Sequence, residues 1–270
     1  MTATLGADGI VLPEKRSALY WAVSDTRVLI GRHVHHLTRS PDQIFTAIML
    51  PAVMLLMFRF MFGGAIDVGG TTYINYLMAG ILVISVTMIS VSTTLAVQSD
   101  MQEGVVDRFR AIAMLDSAVI TGHIVAAVIR GLIALTVMVG LGFAVGFRPS
   151  GSIGDWLLTL GMLVLFAFSL AWVAAVLGLV AKSVDGASGL GLILMFSPYA
   201  STAFVQADTL PDGLRQFVEY QPVTQVVDTV RALLLDQPVA ASGWPALIWW
   251  VAILCVAYPL ATRLYRKRFV

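Results

Sequence analysis

The stretch YINYLMAGILVISVTMISVSTTLAV, residues 73–97, runs for 25 residues without an Asp, Glu, Lys or Arg. As an α-helix it would be about 37 Å long, more than the roughly 30 Å hydrocarbon core of a bilayer. A run of this length and polarity predicts a membrane-spanning helix. Reading outward from it, similar apolar runs occur at about 44–63, 120–147, 156–181, 187–207 and 245–262. The pattern predicts an all-α, polytopic membrane protein with six transmembrane helices. The composition agrees: of 270 residues, 58% are apolar and only 12% charged, with a mean hydropathy of +0.86. Soluble domains carry about 25% charged residues, so this chain lacks the polar surface to coat itself in water. The single cysteine, Cys255, sits in an apolar run, which excludes an intrachain disulfide or a thiolate metal site. Residues 1–43 hold Asp8, Glu14 and Asp25 and no apolar core of a secretory leader, so no cleavage is expected.

The net charge of +1 gives no bias toward nucleic acid, but the charges are unevenly distributed. Six spans put both termini on one side. That side collects Lys15, Arg16, Arg27, Arg32, Arg39, Arg108, Arg110, Lys182, Arg263, Arg266, Lys267 and Arg268, against Arg148, Arg215 and Arg231 opposite. Twelve basic residues against three predict cytoplasmic termini in a cytoplasmic membrane.

Between the spans, residues 64–72 and 148–155 read as plain outer turns, whereas three polar segments carry more information. After a tail at 1–16, residues 17–40 form an amphipathic pattern, with Leu19, Val23, Ile30, Val34 and Leu37 facing away from Asp25, Arg32 and Arg39. That predicts a helix lying in the cytoplasmic interface, or docked on a partner. His33, His35 and His36 lie within it, but no carboxylate or cysteine completes a coordination set, so no metal is expected. The loop at 98–118 places Asp100, Glu103, Asp107, Arg108, Arg110 and Asp116 around Val106, Phe109, Ile112 and Ala113. A short helix of this kind suits insertion into a partner's groove; a solvated helix that merely holds topology is the alternative. Residues 208–236 predict two short amphipathic helices on the outer side, one with Phe217 on its apolar stripe and one starting at Pro222.

Inside the spans, Ser85, Thr87, Ser90, Ser92, Thr93 and Thr94 in span two and Ser197, Tyr199, Ser201 and Thr202 in span five read as helix-packing groups or as the lining of a path. Pro51, Pro198 and Pro259 predict kinks. Arg59 lies near the outer end of span one and is expected to snorkel. Arg130 sits deeper, in span three beyond His123, where a cation usually faces protein, a polar cavity or a headgroup. Isolated polar groups among Met195, Phe196 and Phe204 suit an amphipathic cargo better than an ion. None of the six spans contains Asp or Glu, against a proton-driven transporter, and no GxSxG elbow accompanies His123, against a hydrolase. A sensor or scaffold remains compatible with the same spans.

The string EGVVDRFRAIAMLDSAVITGHIVAAVIR, with FVEYQPVTQVVDTVRALL after span five, resembles the membrane subunits of type-2 ATP-binding-cassette exporters, and most closely the daunorubicin-resistance permease group of actinobacteria. The resemblance runs over nearly the whole chain. It implies a coupling helix in which Glu103, Gly104, Asp107, Arg108, Phe109 and Arg110 contact a separate nucleotide-binding subunit, and an interfacial helix that borders that subunit. It also implies a re-entrant outer hairpin before the last span, carrying Phe217, Tyr220, Pro222 and Arg231, which shapes the exit of the cargo path. Arg130, Ser197, Tyr199 and Phe204 become candidates for that path. No GxxxxGK[ST] sequence is present, so this chain is expected to bind no cofactor and ATP and Mg²⁺ would sit on the partner. The family architecture further implies a second permease copy, identical or related, and lipid as surroundings. Export direction and a drug, lipid or glycolipid as cargo rest on the resemblance alone.

Overall fold

A computed structural model describes residues 41–66, 68, 70–102, 116–239 and 241–267. They form eight α-helices and no strand among the described residues. In chain order these are α1 (Pro41–Met57), continued by a π-helical turn Phe58–Phe62, then α2 (Tyr73–Gln102), α3 (Asp116–Ala144), α4 (Ile153–Val180), α5 (Val184–Phe196), α6 (Asp212–Tyr220), α7 (Pro222–Leu234) and α8 (Gly243–Lys267). Four of them, α2, α3, α4 and α8, are long and apolar enough to cross a membrane, while Ala47–Phe62 and Val184–Phe196 are shorter apolar helices.

Local chemistry explains several of the boundaries. At the start of α4, Ser152 Oγ accepts a 3.3 Å bond from the Asp155 amide, and Asp155 Oδ2 accepts a 2.8 Å bond from the Ser152 amide. This reciprocal cap satisfies donors that the first helical turn leaves open. Ser183 caps α5 by accepting from the Gly186 amide at 3.0 Å. Pro222 opens α7, where its missing N–H costs nothing.

The apolar run at 187–207 is not one helix. α5 ends at Phe196, and 197–205 is a chain of turns in which Ser197 N–H donates to Leu194 O, Tyr199 N–H to Phe196 O and Ser201 N–H to Pro198 O. Pro198 has no N–H to continue the helical ladder, so the bonds tighten into turns. The 13 residues of α5 reach about 20 Å, short of a bilayer core. Thus Pro198 terminates a helix, whereas Pro51 and Pro259 lie inside theirs.

α2 is the central helix. It packs against α1, α3, α4, α5 and α7, and Leu77, Met78, Ile81 and Val83 along it are fully buried. Two glycines allow close approach: a Cβ on Gly80 would fall 2.6 Å from the Ala203 carbonyl oxygen, and one on Gly178 would fall 2.6 Å from the Thr94 carbonyl oxygen. The hydroxyls of Ser85, Thr87, Ser90 and Thr93 are buried and donate to carbonyls one turn earlier in α2, as packing groups do. At the periphery, α8 presents Ile248, Val256 and Leu260 on its open surface, an outside suited to lipid and not to water.

Candidate coupling stem and outer latch

Glu103, Gly104, Asp107, Arg108, Phe109 and Arg110 lie outside the described residues, as does the amphipathic segment 17–40. The helices that lead into and out of the loop are described. α2 continues five residues past the apolar run and carries Asp100 on its last turns, where Oδ2 lies 2.8 Å from His123 Nε2 on α3. The imidazole is buried and the carboxylate partly exposed. This contact ties together the two helices that flank the loop, one end of each. Neither partner stood out in the sequence as half of a pair, because 23 residues separate them.

At the opposite end, α7 is fastened to α2 and to the turns after α5. The Arg231 side chain is buried, and its three nitrogens each find an acceptor. Nε donates to Tyr76 O at 3.1 Å, Nη2 to Thr202 O at 2.6 Å and Nη1 to Asp228 Oδ1 at 2.6 Å. Asp228 Oδ1 also accepts from Thr202 Oγ1 at 2.6 Å, and Tyr76 Oη donates to Thr202 O at 2.9 Å. The guanidinium is therefore matched by a carboxylate and by carbonyls in a closed network, the condition under which a buried charge is tolerated. Thr202 was singled out in the sequence as a packing or path-lining hydroxyl, whereas Tyr76 and Asp228 were not legible as site residues, although Asp228 and Arg231 share one face of α7 at i, i+3.

Next to this latch is an aromatic cluster. Phe204 stacks on Phe58 with centroids 4.6 Å apart and on Tyr199 at 5.7 Å, and Tyr199 Oη lies 3.2 Å from Met54 Sδ. Tyr73 Oη donates to Phe204 O at 3.1 Å. Two of the candidate path residues, Tyr199 and Phe204, are thus brought together against α1 and its π-helical turn. Ser197 spends its hydroxyl on Leu194 O at 2.8 Å, and Arg130 on α3 takes no part in these bonds. Arg59, in the π-helical turn, donates from Nε to Val145 O at 3.1 Å just past the C-terminus of α3, where open carbonyls favour a cation. Phe217 and Tyr220 point outward from α6, and Arg215 there donates to Glu219 Oε1 at 2.7 Å, a bond that raises the guanidinium pKa further. Pro222 contributes its carbonyl, which accepts from Trp250 Nε1 of α8 at 3.1 Å. Among the described residues, no group of three or more His, Cys, Asp or Glu is arranged to hold a metal.

A bundle of apolar helices around a buried polar latch defines a multi-pass membrane protein. Residues 24–235 match the family model of the ABC-2 type transporter, and the chain belongs to that family, whose members are multi-pass cell-membrane permeases. Over 258 residues it is 30% identical to the daunorubicin resistance ABC transporter permease protein DrrB1 of Streptomyces coeruleorubidus, covering 94% of this chain and 90% of that protein. Over 256 residues it is 23% identical to the probable doxorubicin resistance ABC transporter permease protein DrrC of Mycobacterium tuberculosis, covering 93% of this chain and 91% of the relative.

Proposed function

We propose that this chain is the permease subunit of an ATP-driven exporter that moves a hydrophobic or amphipathic cargo, drug-like or lipid-like, across the cytoplasmic membrane. The observation that carries the reading is the similarity to drug-resistance permeases over nearly the full length of both chains. In this reading a separate subunit binds ATP and Mg²⁺, two permease copies form the membrane complex, and both termini are cytoplasmic. α1 with its π-helical turn, and α5 together with the turns at 197–205, complete six crossings with the four long helices, and α6 and α7 form a re-entrant hairpin on the outer side.

The proposed mechanism follows from what the chain can transmit. Glu103, Gly104, Asp107, Arg108, Phe109 and Arg110 are held by the ATPase, so nucleotide-driven closure displaces the loop. The Asp100–His123 pair makes the inner ends of α2 and α3 move as one body, and α2 carries that motion to every helix packed on it. At the outer end the motion arrives at Tyr76, and hence at Arg231 and the turns that hold Tyr199 and Phe204. Arg130, Ser197, Tyr199 and Phe204 are the proposed contacts along the cargo path, and Phe217 and Tyr220 flank its exit.

The test is reconstitution with the partner ATPase in lipid nanodiscs, followed by a screen of hydrophobic drugs and lipids for ATPase stimulation. Proteoliposomes then report inside-to-outside movement. Phe109→Ala and Asp107→Arg should each abolish stimulation while the permease itself stays folded. Unchanged ATPase association and transport in both variants would remove the coupling assignment.

A further inference from the structure

Arg59, Arg148, Arg215 and Arg231 each donate to a carbonyl or a carboxylate. Arg130 does not share this property. Its Nε is buried and has no hydrogen-bond partner, in the middle of a helix apolar enough to span a membrane. A guanidinium left so is costly in a low-dielectric interior, and an anion brought to it recovers that cost. Asp100, an acid on the helix facing α3, is already engaged by His123.

The surroundings define the shape of what could supply the anion. Arg130 is only partly covered, and a Cβ built on the adjacent Gly131 would meet no atom within 4 Å. Along α3 from Arg130, Ile133, Val137 and Gly140 follow at helical spacing and are all exposed, as is Phe143 one turn further. The strip is apolar and about 15 Å long from Ile133 to Phe143, close to the length of a lipid chain. Side chains on a helix lean toward its N-terminus, so Arg130 leans away from this strip and toward the cytoplasmic side in the topology proposed above. One charged end and one apolar strip are the two halves of an amphiphile site.

We propose that Arg130 binds the phosphate of an anionic amphiphile whose chain lies along Ile133, Val137 and Phe143. Phosphate is matched by the planar, always charged guanidinium. The phosphate could belong to a resident membrane lipid or to transported cargo. The transport role rests on the function proposed above; the binding site does not.

The test reads binding first, without the ATPase. The full chain in detergent is offered dioleoyl phosphatidylglycerol, the phosphate-free dioleoylglycerol or inorganic phosphate, and adducts are counted by native mass spectrometry. The wild type should retain phosphatidylglycerol about tenfold better than dioleoylglycerol, the ratio expected from one charge-assisted bond, and should hold free phosphate poorly. Arg130→Gln should bring the two lipids level. Val137→Trp, which blocks the strip and leaves the charge, should weaken phosphatidylglycerol binding even if the arginine variant does not fold. Equal retention of both lipids by the wild type, an undiminished preference in Arg130→Gln, or undiminished phosphatidylglycerol binding by Val137→Trp overturns the proposal. With the ATPase present in proteoliposomes, ATP-driven appearance of labelled phosphatidylglycerol in the outer leaflet identifies cargo. Binding without movement identifies a resident lipid and leaves the site standing even if the exporter reading fails.

Discussion

The carbon at the centre of the Arg231 guanidinium lies 3.7 Å from the centroid of the Tyr76 ring, while Nε of the same group donates to the Tyr76 carbonyl. One side chain of α7 thus grips one residue of α2 twice, through its ring face and its backbone. A third attachment, to Thr202 O, draws in the turns that follow α5. These contacts need a planar cation with donors in three directions, which only arginine has.

Removing that group should be expensive. Arg231→Met removes the cation beside Asp228 and one donor each from the Tyr76 and Thr202 carbonyls; because Asp228 is partly exposed and keeps Thr202 Oγ1, and Thr202 O keeps Tyr76 Oη, the cost should be about 1–3 kcal/mol. Arg231→Lys should recover only a small part, since one ammonium cannot reach all three acceptors. Thermal unfolding in detergent checks both variants; a Lys variant as stable as wild type would mean that charge alone, not the fork, holds the hairpin.

The stem at the other end makes a different prediction. Asp100→Ala and His123→Ala should each reduce cargo-stimulated ATPase activity of the reconstituted complex more than they reduce thermal stability, because the pair links two helix ends and not the core. Combined, they should show a coupling of roughly 0.5–3 kcal/mol in a double-mutant cycle. Additive effects on both readouts would mean that α2 and α3 are held by other contacts and that the pair transmits nothing.

Much of the architecture was legible because membrane helices announce themselves locally. The run 73–97 carries no charge over its whole length, and the hairpin helices show their stripes within nine and thirteen residues. The end of α5 was not read from the sequence even though residues 197–207 carry Ser197, Ser201, Thr202 and Gln206, because isolated hydroxyls that bond back to the preceding turn are equally at home inside a membrane helix. Pro198 was the available signal; read as a kink, it proved to be an end. The latch was hidden for another reason. Tyr76 and Arg231 are 155 positions apart, so their meeting depends on how α2 and α7 pack, and no local pattern encodes that. Arg130, by contrast, drew attention from sequence as a charge in a span, but only the structure distinguishes it from Arg59, which finds a carbonyl at a helix end.

Two of the glycines of α4 offer a matched test of helix packing. Gly178→Ala would place a methyl 2.6 Å from the Thr94 carbonyl oxygen, so the helices must separate, at a cost of about 1–3 kcal/mol. Gly161→Ala, on the same helix, meets nothing within 4 Å and should be neutral or slightly stabilising. Midpoints of thermal unfolding for the pair check this; a Gly178→Ala variant as stable as Gly161→Ala would mean that close α2–α4 contact at Gly178 does not limit the packing.

The last prediction separates packing from recognition in the aromatic cluster. Phe204 is stacked between Phe58 and Tyr199, so Phe204→Ala removes both ring contacts and loosens the join between α1 and the turns after α5. Both stability and transport should fall. Tyr199→Phe is more informative, because it keeps the ring and loses only the hydroxyl, whose contact is a weak one to Met54 Sδ. If the hydroxyl serves only packing, stability and ATP-driven efflux should both stay near wild type. If Tyr199 meets cargo, efflux of a cargo with hydrogen-bonding groups should fall while stability holds and efflux of a purely apolar cargo is spared. Measuring both cargoes against the unfolding midpoint distinguishes the two, and a parallel loss of stability and of both effluxes would return Tyr199 to a purely structural role.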